Sequence, residues 1–184
     1  DENGKTYTAT VTLKVEPKQL TGLGINLAST WVYKETKTPT LIGVEGLTPD
    51  DYAITYSKKD DSENYGKIMP ILVGEYKATL SITNPNYTAS EASVNFEITP
   101  INTEVKVKSY DAEFTYDGSE HIKNAYDVLW ANNASPVTDN KLPNGDLVTA
   151  VITGKVRDVK DTALENNTIG KITITNADGV DVTN

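Results

Sequence analysis

Residues 76–100 read YKATLSITNPNYTASEASVNFEITP. Apolar and polar side chains alternate along Tyr76-Lys77-Ala78-Thr79-Leu80-Ser81-Ile82 and again along Val94-Asn95-Phe96-Glu97-Ile98. A period of two places successive side chains on opposite faces, so each run reads as a strand with one apolar face. Asn84-Pro85-Asn86 between them is a turn signal. Pro100 closes the second run, because proline has no N–H to give to a ladder. The stretch is β-structure, and the same grammar extends outward from it.

Upstream, Tyr52–Tyr56 alternates after the turn Thr48-Pro49-Asp50-Asp51, and Thr8–Val15 alternates at the start of the chain. Downstream, Val105–Lys108, Val148–Ile152 and Lys171–Thr175 alternate, separated by Tyr116-Asp117-Gly118, Pro143-Asn144-Gly145-Asp146 and Ala177-Asp178-Gly179. Ser119–Trp130 is ambiguous, since Ile122, Ala125, Tyr126, Leu129 and Trp130 also fit a helical spacing. The strand reading, with Tyr126, Val128 and Trp130 on one face, is preferred. Threonine supplies about one residue in seven, which favours strands over helices. The expected fold class is all-β, as short strands between frequent turns make sandwiches or barrels.

An internal echo sets the expected boundaries. Val11-Thr12-Leu13-Lys14-Val15-Glu16-Pro17 has the form of Val94-Asn95-Phe96-Glu97-Ile98-Thr99-Pro100, an alternating strand closed by proline. Residues 17–100 and 101–184 therefore read as two modules. Residues 1–16 read as the last strand of a preceding module or as a first strand borrowed by the first.

Seventeen basic against 26 acidic residues give a net charge of -9, spread evenly over both halves. Nucleic acid and anionic membranes need a basic face to meet phosphates, so neither is expected as a partner. No run of apolar residues is long enough for membrane insertion. With no cysteine the chain has no disulfide, thiolate nucleophile or cysteine-based metal site.

Beside this reading stands a resemblance. Leu47 to Pro100 resembles the Ig-like repeats of bacterial surface proteins, through its Tyr-rich strand, Gly74-Glu75-Tyr76-Lys77-Ala78 and Asn86-Tyr87 before a closing strand. Phe114-Thr115-Tyr116-Asp117-Gly118, then Asn144 to Gly154 and Asn176 to Asn184, resemble the YDG-type (MBG-like) repeats of large adhesin-like proteins. Residues 131–142 depart from that pattern as an insertion, and the strand expected after Asn184 is missing. The resemblance implies two tandem small β-sandwich modules, Ig-like for 17–100 and Ig-like or β-grasp-like for 101–184. It also implies a non-enzymatic spacer, stalk or adhesive role at the bacterial cell surface. Expected partners are neighbouring modules of the parent chain and a host or glycan receptor, with the chain itself monomeric.

Candidate sites are few. His121 is the single histidine, whereas zinc sites and Ser-His-Asp triads need companions for it. No catalytic residue, cofactor or metal is expected. Asp50-Asp51 and Asp60-Asp61-Glu63 are carboxylate pairs of the kind glycosidases use, but adjacent residues on a strand face opposite ways. Asn176, Asp178 and Asp181, or Asp139, Asn140, Asn144 and Asp146, offer oxygen ligands without the full calcium-loop spacing. For a glycan-binding alternative, Trp31 with Tyr33 and Tyr126 with Trp130 fall on single strand faces, where exposed rings stack on sugars. Tyr56, Tyr65 and Tyr110 are further exposed candidates. Lys14, Lys77 or Lys106 would be the donors of an internal Lys–Asn crosslink, a feature of some modules of this class.

Overall fold

A computed structural model describes residue 4 and residues 8–183. The protein is all-β; the described residues form 13 strands and no α-helix. It divides into two compact units between Thr99 and Pro100.

The first unit is built on β3 (Thr30–Val32), β5 (Tyr52–Lys58), β6 (Asn64–Gly66), β7 (Gly74–Ile82) and β9 (Ala92–Thr99). They form one sheet in the order β3-β9-β7-β5-β6. The β9, β7 and β5 strands are antiparallel, and β3 adds to β9 in parallel. Register shows why the alternation matters. Tyr76 opposes Phe96, Ala78 opposes Tyr56 and Val94, and Trp31 opposes Ile98, so one face is apolar. On the other face Lys77 opposes Ser57 and Asn95, and Thr79 opposes Thr55 and Ser93. Tyr76, Leu80 and Ile98 are among the most deeply buried side chains. Each such burial stabilises by about 1.5–3 kcal/mol. Two small ladders complete the unit. β1 (Lys18–Gln19) runs parallel to β8 (Tyr87–Thr88), and β2 (Gly24–Asn26) pairs with β4 (Thr40–Ile42). β2 also lies against β7 and β9.

The second unit holds two antiparallel pairs, β10 (Val105–Ser109) with β11 (Tyr126–Trp130) and β12 (Leu147–Ile152) with β13 (Ile169–Thr175). The strand reading of Tyr126–Trp130 holds, and Val107 pairs with the fully buried Val128. Val128, Leu142 and Val148 form the core, with Val105, Trp130, Ile172 and Ile174 packed on it. The described helical structure is limited to single 3-10 turns at Thr138–Asn140 and Val159–Asp161. Among the described residues, the second unit therefore lacks the long helix that a β-grasp lays across its sheet.

The stretch 8–16 departs from expectation. Tyr7 lies outside the described residues, and Thr8–Glu16 is not part of any strand. Its side chains are exposed, Val11, Leu13 and Val15 at 79%, 93% and 95%. Alternation prepares a strand, but a ladder also needs a partner, and the position this pattern matches, between β7 and β3, is already occupied by β9.

Candidate functional site

The aromatic residues expected to meet a glycan are not displayed as a pair of platforms. Trp31 and Tyr33 are buried, at 5% and 7% exposure. Trp31 stacks on Phe96 with ring centroids 4.9 Å apart, and Phe96 also stacks on Tyr76 at 5.5 Å and meets the edge of Tyr56. Tyr56, expected to be exposed, is thus a core residue, whereas Tyr65 is half-buried and Tyr110 exposed. Burial of apolar rings outweighs display because this sheet has little other large apolar surface. Tyr126 and Trp130 are half-buried against the second core, and the Tyr126 hydroxyl accepts the Ala150 N–H at 3.1 Å.

The carboxylate groups serve their own turns. Asp51 accepts bonds from the Thr48 N–H and hydroxyl and the Asn84 amide, which hold its carboxyl below the usual range, the Asn84 bond most of all. Asp60 accepts from Ser62, Asp61 from Lys77 and Ser57, and Glu63 from the Tyr65 hydroxyl. Tyr65 is pushed above the ordinary phenol range, first by desolvation and then by that bond. The buried Asn176 accepts the Asp178 and Val180 N–H groups, closing a turn. Asp146, also buried, is bonded by Asn144 at both its carboxylate and its N–H, whereas Asp139 and Asn140 sit in a left-handed turn. Among the described residues, no three histidine or acidic side chains gather as a metal site. Lys14, Lys77 and Lys106 pair with Glu16, Asp61 and Glu104.

A concavity lies in the second unit, where the chain between strands is irregular. Residues 110–125 and 153–168 face each other across a cleft of about 830 Å³. Two devices hold them together. Asn167 donates its amide to the Tyr110 carbonyl at 2.7 Å and to the Lys123 carbonyl at 3.2 Å, and accepts the Ser109 hydroxyl at 2.6 Å on its own carbonyl. His121 and Val156 exchange backbone bonds of 2.8 and 3.1 Å. Gly154 permits the approach, since a Cβ there would sit 2.3 Å from Asn166 O and Asn167 Cα.

The cleft contains the single histidine and the single arginine, Arg157. The His121 ring stacks on Phe114, centroids 4.6 Å apart and planes within 10°. Its Nε2 meets Asp117 Oδ1 at 3.0 Å, the same oxygen that accepts the Ser119 N–H at 2.8 Å. The Ser119 bond, and after it the imidazole, holds the Asp117 carboxyl below its usual range. Tyr116, 62% exposed, stands beside this pair. The lining mixes Lys108, Lys123, Lys155 and Arg157 with Asp111, Glu113, Asp158 and Glu165, a balanced set in a chain of net charge -9. A polar, charge-balanced cleft with exposed rings suits an uncharged hydroxyl-rich ligand better than a strongly ionic one. Phe114 and Tyr116, two aromatics at i, i+2 between Glu113 and Asp117, both line the cleft and are not among the residues the sequence pattern singles out for binding.

No protein-family model matches this chain, and no curated protein and no solved structure matches it either.

Proposed function

We propose that this chain is a non-enzymatic structural or adhesive module of a secreted or surface-attached bacterial protein, its two units being small sandwich modules set in tandem. One observation carries the reading. The outer face of the five-stranded sheet is a wetted layer of Ser57, Thr79, Asn95 and similar residues, laced by the Lys77–Asp61 and Lys59–Glu75 ion pairs. Such a face is stable in water without presenting a site. The resemblance of residues 47–100, and of 114–118, 144–154 and 176–184, to surface repeats points the same way. Purified protein tested on ester, peptide and glycoside substrates is expected to give background rates. Turnover that falls on His121→Ala or Asp117→Asn would overturn the proposal, because the His121 ring lines the cleft and is paired with the Asp117 carboxylate.

The cleft favours a second reading, a glycan-binding module, with Phe114 and Tyr116 in place of Trp31 and Tyr33. A glycan array decides between them. Binding of a neutral oligosaccharide that Tyr116→Ala removes, with the melting curve unchanged, would establish the second reading over a plain spacer.

A further inference from the structure

Thr8–Glu16 lies outside every described strand and is exposed throughout. Val11, Leu13 and Val15 are almost fully exposed; in an extended strand they would share one apolar face, with Thr12, Lys14 and Glu16 on the other. Lys14 and Glu16 pair with each other. Burying three such side chains would be favourable, since it removes apolar surface from water.

The structure also indicates what would cover them. Aligned on their closing prolines, Val11, Leu13 and Val15 fall on Val94, Phe96 and Ile98 of β9. Phe96 and Ile98 are 2% exposed, facing the same side of the sheet as Tyr76 and Trp31. Thr12, Lys14 and Glu16 fall on Asn95, Glu97 and Thr99, which take the other face. β9 occupies a particular slot, antiparallel to β7 on one side and parallel to β3 on the other. In this chain that slot is filled by β9 itself, so Thr8–Glu16 cannot take the β9 position in its own first unit.

We propose that Thr8–Glu16 is a β9-type strand that completes the sheet of another module with the architecture of the first unit. The partner surface is an open slot between an antiparallel β7-type strand and a parallel β3-type strand. Main-chain bonds supply the affinity, and pockets for Val11, Leu13 and Val15 set the register. The proposal rests on the tandem-module reading but not on any adhesive role, so it survives if the chain proves to bind a glycan.

The test keeps the whole chain and inserts a second copy of residues 17–93 between Thr10 and Val11. Val11–Glu16 then follows the inserted copy at the spacing β9 has in the first unit. Backbone amide exchange is read at residues 11–16 in the parent chain and in the insertion chain. The expected result is exchange at least about a hundredfold slower at these amides in the insertion chain, as for a strand inside a sheet. Leu13→Asp should abolish that protection and leave the original two units protected as before. One extra residue placed before Val11, which turns the apolar face outward, should do the same. Exchange at the parent rate would overturn the proposal. So would protection that survives the one-residue slip, or that appears only after Leu13→Phe.

Discussion

Trp31 and Phe96 stack face to face, 4.9 Å between centroids and 11° between planes, joining the edge strand β3 to β9. Phe96 is the hub of the first core, since Tyr56 and Tyr76 meet the same ring. Phe96→Ala should lower the stability of the first unit by about 3–5 kcal/mol, the usual cost of emptying an aromatic site. Because the two units are compact separately, they are expected to melt as separate transitions. In a Trp130→Phe background, Trp31 fluorescence reports the first alone. A Phe96→Ala change under about 1 kcal/mol would mean that the stack contributes little.

Asp51 sets a pH dependence for the first unit. Its carboxylate accepts three bonds in the native state, which hold its folded pKa below the unfolded value of about 3.9. A depressed folded pKa contributes stability that is present above the unfolded value and disappears as pH falls through the folded one. The melting temperature of the first unit should therefore decline on acidification below about pH 4. Asp51→Asn should be less stable than the parent at pH 7, and the gap should narrow as the pH is lowered. A gap independent of pH would show that Asp51 acts through shape alone.

The turn at 176–180 is tied by protein donors. Asn176 Oδ1 accepts the Asp178 and Val180 N–H groups at 3.0 and 2.9 Å, so its oxygen is engaged without a cation. Chelation should move the melting temperature of the second unit by less than about 2 °C, whereas a tightly held ion would stabilise by mass action. Asn176→Ala should cost about 1–3 kcal/mol, because two N–H groups lose their acceptor. A larger chelator effect than mutant effect would reverse the assignment.

What the sequence disclosed and what it withheld follow from range. Strict alternation in Tyr76–Ile82 and Val94–Ile98 identified β7 and β9 and the side chains that face inward, because a period of two is a local property. Strands of two or three residues, such as β1, β2 and β8, have no period to detect. Trp31 and Tyr33 could be assigned to one face, but whether that face is covered depends on Phe96, far away in sequence. Thr8–Val15 shows the converse, since its pattern specifies a face and leaves the partner open. The cleft was least legible of all. Its walls are irregular segments whose meeting depends on the His121–Val156 backbone bonds together with one amide, Asn167, and one missing Cβ, at Gly154.

That pair gives the last prediction. Asn167→Ala removes the bonds to the Tyr110 and Lys123 carbonyls and should destabilise the second unit by about 1–3 kcal/mol. Gly154→Ala pushes a methyl into backbone atoms 2.3 Å away, which cannot swing aside as a side-chain tip would. Separating the walls should cost a further 1–3 kcal/mol or so, as overpacking commonly does. Both changes break the same junction, so the double variant should lose less than the sum of the two. Amide exchange at His121 and Val156, which bond each other across the junction, should speed up in each variant. Exchange at Val128, in the core, should respond only to the overall loss of stability. Strict additivity, with His121 and Val156 no faster than Val128, would mean that Asn167 and Gly154 stabilise the unit separately and that the cleft is held by other contacts.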